Sequence, residues 1–210
     1  MVKKIHLIDY GFGNLPSVKN AIEFLNHECV IVNKSTKLKE ITHIILPGVG
    51  SFESGISALI KQGWQKKINS LVKNNVYLLG ICLGMQLLFT NGHNEKNNKK
   101  IKGLGLIKGT CERFFSKKKQ NLPLPHVGFN SVNHNKSKIW NNIVNNSYFY
   151  FIHSHKISLT SDNKDFSYST SDYGEKFISF VEKKNIFGSQ FHPEKSNESG
   201  IQLLKNFCNL

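Results

Sequence analysis

Apolar positions recur with two different periods along the chain, and the change of period divides it. Residues 3–8 form an apolar-rich run that reads as a strand, ended by the breaker Gly11-Phe12-Gly13. After it Leu15, Val18, Ile22 and Leu25 recur at three- and four-residue spacing, which places them on one face of a helix. Residues 29–32 and 43–46 read as the second and third strands, the latter stopped by Pro47-Gly48. Two helical stretches, 53–61 and 64–73, lead into residues 76–81, apolar on both faces and therefore a central strand. Strands alternating with helices predict a parallel sheet covered by helices. From Thr110 onward the period shortens. Residues 110–115, 147–152, 166–170, 177–182 and 186–190 read as strands without long helices between them, so an antiparallel extension of the sheet is expected. A helix over about 197–207 closes the chain, and residues 91–100 and 116–121 read as loops.

Length and composition narrow this picture. A chain of 210 residues with 39% hydrophobic positions suits one domain over residues 1–210 with a buried core. No apolar stretch reaches the roughly 18 residues needed to span a bilayer, and an early carboxylate, Asp9, interrupts the first apolar run, so a cytoplasmic protein without membrane contact is expected. Cys29, Cys82, Cys111 and Cys208 include no CxxC pair, which argues for reduced thiols and against a metal site. The formal charge of +14 raises nucleic-acid binding as a class, but Arg113 is the only arginine. Base-edge readout leans on arginine, so the lysines, including Lys117-Lys118-Lys119, read as solvated or partner-facing surface rather than a nucleic-acid groove.

The chemistry concentrates at three strand ends. Gly80-Ile81-Cys82-Leu83-Gly84 lies between a buried strand and an apolar helix expected over 85–89, the arrangement of a nucleophile elbow with cysteine as nucleophile. Both glycines have a physical reason, since a sharp strand-to-helix turn leaves no room for side chains beside the strained central residue. The turn also sets the sulfur at a helix N-terminus, whose dipole favours negative charge. A buried, inert thiol is the plain alternative for a lone cysteine. Phe191-His192-Pro193-Glu194 follows the last strand, where parallel-sheet sites form, and supplies a base, His192, with an orienter, Glu194. Leu46-Pro47-Gly48-Val49-Gly50-Ser51-Phe52 follows the third strand, and its glycines let backbone N–H groups face a ligand; with the Leu83 N–H it forms a candidate oxyanion hole.

These segments, together with Met85-Gln86-Leu87-Leu88-Phe89, Pro125-His126-Val127-Gly128-Phe129-Asn130 and Tyr148-Phe149-Tyr150-Phe151-Ile152-His153-Ser154, occur in an order that resembles class I glutamine amidotransferases along almost the whole chain. Within that family they look like the glutaminase subunits of imidazole glycerol phosphate synthases. The resemblance implies a flavodoxin-like mixed α/β sheet flanked by helices, no cofactor, and a triad of Cys82, His192 and Glu194 that hydrolyses glutamine to glutamate and ammonia. It further implies that Gly50 and Gln86 cradle glutamine with Val49 and Leu83 at the oxyanion. Glu95 is the nearest carboxylate to stand where the family holds the substrate amino group. Pro125, Asn130, Tyr150, His153 and Lys195 are implied to face a (β/α)8-barrel cyclase subunit in a heterodimer serving histidine biosynthesis. Phe129 stands where many members carry tryptophan and His155 where tyrosine is usual. Phe129, together with the altered loop after Phe89, keeps open a paralogous glutaminase feeding a synthase that amidates bacterial surface sugars; a catalytically silent regulatory subunit of the same fold is a separate alternative.

Overall fold

The computed structural model describes residues 2–34, 41–94, 97, 99–114, 122–159 and 166–210. Its centre is a seven-stranded sheet in which β1 (Lys4–Ile8), β2 (Glu28–Val32), β3 (His43–Leu46), β4 (Tyr77–Ile81), β11 (Ser167–Asp172), β12 (Lys176–Lys183) and β13 (Ile186–Ser189) take the order β11-β12-β13-β4-β3-β1-β2. The five strands from β13 to β2 pair in parallel, and β12 and β11 add on antiparallel at one side. Strand alternation explains why both faces are buried. Ile44, Leu46 and Leu78 pack on one side with α2 (Phe52–Lys61) and α3 (Trp64–Lys73), through Ile56, Leu59, Trp64 and Ile68. Ile5, Leu7, Ile45, Leu79 and Ile81 pack on the other side with α1 (Leu15–Phe24) and α5 (Asn197–Cys208), through Val18, Ile22, Leu203 and Phe207.

Helix starts follow local chemistry. The side chain of Asn14 accepts from the Ser17 N–H at the head of α1, and Ser51 accepts from the Ser54 N–H at 3.2 Å at the head of α2. No helix among the described residues is long and apolar enough to cross a membrane.

The second half differs from expectation in detail. Only two of the five strands expected there, β11 and β12, form the antiparallel extension, and β13 joins the sheet in parallel beside β4. The strand expected at 110–115 is β7 (Ile107–Arg113), in a separate four-stranded sheet of order β10-β7-β5-β6 with β10 (His155–Ser158), β5 (Phe89–His93) and β6 (Lys100–Lys102). That at 147–152 is β9 (Tyr148–His153), which pairs with β8 (His126–Ser131) as a separate ribbon among the described residues. The helix expected over 85–89 is α4 (Leu83–Leu87), and Phe89 instead opens β5. The segment 91–100, expected as a loop, thus contributes to two strands. Its polar residues carry no alternating signal; β5 exists because β6 and β7 pair with it and because Phe89 is fully buried. The loop expected at 116–121 lies outside the described residues.

Candidate active site

The elbow forms where backbone segments approach closely. Cys82 joins β4 to α4 with φ 54° and ψ −110°, a backbone conformation rare for a residue with a side chain. Its N–H donates to the Ser189 carbonyl at 2.7 Å, which ties the turn to the end of β13. A Cβ on Gly80 would lie 2.7 Å from the Gly84 backbone, and one on Gly84 would lie 1.8 Å from the Leu46 carbonyl oxygen. The neighbouring atoms are backbone and cannot move aside cheaply. Gly84→Ala is therefore expected to cost about 3 kcal/mol or more of stability, read as a lowered denaturation midpoint.

His192 comes from the segment after β13. Its N–H donates to the Tyr150 carbonyl at 2.8 Å, while the Ser196 hydroxyl donates to the His192 carbonyl at 2.6 Å and accepts from the Tyr150 N–H at 2.9 Å. The imidazole Nδ1 lies 2.8 Å from Glu194 Oε1, and both side chains are almost fully buried. A carboxylate only accepts, so Nδ1 carries the proton of the neutral ring and Nε2 is left for the sulfur. Nε2 is buried and makes no geometrically complete hydrogen bond among the described residues. The Cys82 sulfur is nonetheless near enough to govern its proton affinity. Burial opposes charge on the ring, but the nearby Cys82 sulfur and the hydrogen-bonded Glu194 carboxylate outweigh it and push the His192 pKa up to about 10. The sulfur also lies 3.8 Å from the Ile152 carbonyl oxygen and 3.7 Å from Gln190 Nε2.

A cleft of about 210 Å³ opens above the sulfur, lined by Val49, Gly50, Cys82, Leu83, Gln86 and residues 152–155. Four of the residues expected to hold substrate, Val49, Gly50, Leu83 and Gln86, are thus brought to one cleft. Glu95 lies outside the described residues. The oxyanion arrangement differs from expectation in one respect: the Leu83 N–H already donates to the Gly48 carbonyl at 3.3 Å. That donor becomes available to a ligand only when this bond is given up. No group of three or more His, Cys, Asp or Glu side chains among the described residues could hold a metal ion.

The residues expected to face a partner divide between the surface and the interior. Pro125 and Lys195 are exposed, Asn130 and Tyr150 are half-buried, and the Lys195 ammonium sits 5.9 Å from the Tyr150 ring centroid. His153 is buried on the cleft wall, where its Nδ1 lies 2.7 Å from the His155 carbonyl oxygen. A carbonyl only accepts, so His153 donates from Nδ1 and its Nε2 accepts from His126 Nδ1 at 3.1 Å; His126 Nε2 then accepts from the Asn130 amide at 3.4 Å. Burial holds both rings neutral, with pKa values lowered to about 4 for His126 and about 3 for His153. His126 gives no sequence signal of its own for this chain of donors, because its partners come from the neighbouring strand.

The whole-chain match agrees with this geometry: the family model described as glutamine amidotransferase class-I matches residues 6–210. The chain belongs to the class I glutamine amidotransferase family. Among curated members, imidazole glycerol phosphate synthase subunit HisH 2 of Methanococcus maripaludis is 42% identical over 205 residues, covering 97% of this chain and 98% of that protein. Imidazole glycerol phosphate synthase subunit HisH of Methanocaldococcus jannaschii is 41% identical over 207 residues, covering 98% and 99%. Among solved structures, PurLQS from Thermotoga maritima shares the fold with a TM-score of 0.74 at 18% identity, covering 100% of this chain and 99% of that one. The shared fold thus extends over nearly the whole of both chains.

Proposed function

We propose that this amidotransferase hydrolyses glutamine with Cys82 as nucleophile, His192 as base and acid, and Glu194 as the group that orients the imidazole. The observation that carries this reading is the strained cysteine elbow, which lines a cleft together with Gln86 and Gly50, beside a buried His192–Glu194 pair close enough for the sulfur to raise the proton affinity of the ring. The sulfur attacks the carbonyl carbon of the glutamine side-chain amide, and His192 carries the thiol proton to the departing nitrogen, so ammonia leaves. Water then attacks the thioester with His192 as base, which expels the sulfur and releases glutamate. The oxyanion of each tetrahedral intermediate falls to backbone N–H groups at Val49 and Leu83 once the Leu83–Gly48 bond opens.

The ammonia goes to a partner. Val127 and Phe129 on β8 and Tyr148 and Ile152 on β9 are all exposed on one face of the ribbon, and Ile152 also lines the cleft, so an apolar docking face adjoins the reactive sulfur. The HisH relatives are named as subunits of imidazole glycerol phosphate synthase, which favours a (β/α)8-barrel cyclase and a role in histidine biosynthesis. A glutaminase assay of the chain with the barrel protein encoded beside it, with and without the barrel's phosphoribulosyl ligand, tests both halves. Glutamate release that rises on adding barrel and ligand is the expected result. Release that stays flat there, and rises only with a surface-sugar synthase, would overturn the pathway. Phe129→Asp places a charge at the centre of the apolar face, and complex formation measured by titration calorimetry is expected to weaken by about tenfold or more, with turnover of free ammonia by the barrel unchanged.

A further inference from the structure

We propose that Gln190 is a further catalytic residue, its side-chain amide N–H donating to the Cys82 sulfur while its carbonyl oxygen anchors Gln86. The inference rests on the reading of Cys82 as nucleophile and gives the sulfur a donor other than His192. Gln190 is completely buried, and its backbone N–H donates to the Ser179 carbonyl at 2.9 Å. Its side chain bridges two groups: Oε1 accepts from Gln86 Nε2 at 2.9 Å, and Nε2 lies 3.7 Å from Cys82 Sγ. The amide orientation follows from these neighbours. A sulfur that becomes anionic needs a donor, so the Gln190 NH2 group faces it and the Gln190 oxygen is left to accept from the Gln86 amide NH2. Turned over, the same amide would set an oxygen lone pair against a sulfur that must become anionic, and would oppose two donors to each other.

The bond changes value during the reaction. A thiol or thioester sulfur is a weak acceptor, whereas an anionic sulfur draws a charge-assisted hydrogen bond. The Gln190 N–H therefore favours the sulfur anion when it attacks and again when thioester hydrolysis returns the S–C bonding pair to it. It transfers no proton; the proton that ammonia needs travels through His192. Interactions stronger for the charged state than for the resting neutral one are those that accelerate a step. Because Gln86 hangs from the same amide, the side chain expected to seat glutamine and the donor on the sulfur are fixed relative to each other.

Labelling of the full chain with iodoacetamide, located by peptide mass, reads the sulfur directly. In the unmodified protein Cys82 is expected to react faster than Cys29, Cys111 and Cys208, which are buried away from the cleft. In Gln190→Met, of similar length but without a donor, labelling of Cys82 at neutral pH is expected to slow about tenfold and its pH–rate profile to move towards alkali. A purely structural role for Gln190 lowers the melting temperature and leaves that profile in place, so a folded variant with an unmoved profile would overturn the proposal. A second measurement does not depend on the variant folding: the side-chain amide resonance of Gln190 in protein labelled with 15N-glutamine. It is expected to shift with pH in the unmodified chain and to stay still in Cys82→Ala; equal behaviour in both would also overturn the proposal. If Cys82 in the unmodified chain reacts no faster than the other three cysteines, the nucleophile assignment itself fails, whatever Gln190 does.

Discussion

Cys82→Ala is expected to remove glutamine-dependent turnover by the assembled complex to background while turnover on free ammonium survives near its original rate. The asymmetry follows from the division of labour. The chain's task ends with ammonia, and a partner supplied with ammonia from solution no longer needs the sulfur. Water attacking an amide directly forgoes the covalent route, and the strained turn, the buried imidazole and the cleft are all arranged around one atom at position 82. Alanine suits the test better than serine because it fits the φ of 54° no worse than cysteine and introduces no hydroxyl beside His192. Parallel assays with glutamine and with ammonium chloride decide it. Loss of both activities together points to a collapsed interface instead, and persistence of both means that some other group is the nucleophile. A catalytically silent subunit makes a different forecast, with no glutamate released by the unmodified chain in any complex.

The parallel half of the fold was legible because its strands are apolar on both faces and its helices carry one apolar stripe, so each period points to a single element. β3 begins and ends where expected, at His43 and Leu46, and the expected Trp64 to Lys73 helix is α3. The antiparallel half was legible only as a list of strands, because membership of a sheet depends on partners distant in sequence. β8 was missed altogether: Gly128, with φ 131°, interrupts it, and its outward residues Val127 and Phe129 are apolar, so no polar-out alternation marks it. At the candidate site, the positions of Cys82, His192 and Glu194 at an elbow and a strand end could be anticipated, because strained turns and strand ends leave local marks in glycine and proline spacing. The closed Leu83–Gly48 bond could not, since it depends on which way one peptide plane faces. Nor could the buried hydrogen bond between Gln86 and Gln190, which lie 104 residues apart.

His192→Ala carries the second large effect, an expected loss of about 10²- to 10⁴-fold in glutamine hydrolysis, since one ring both takes the thiol proton and returns it to the leaving nitrogen. Glu194→Gln is expected to lose less and to reveal more. The glutamine oxygen still accepts from Nδ1 and preserves the ring's orientation, but the charge that helps hold the proton on His192 is gone. Stability against pH reads that charge without reference to catalysis. The folded-state pKa of His192 is raised from 6.5 to about 10, so the folded chain retains a proton that the unfolded chain gives up. The resulting stabilisation is complete below about pH 6.5 and disappears as pH climbs through about 10. Between those limits the unmodified chain is expected to lose stability with rising pH more steeply than Glu194→Gln, as read by denaturant midpoints at each pH. Parallel slopes would mean that the carboxylate does not hold the proton on the ring, and Glu194 would then be left with orientation alone as its role.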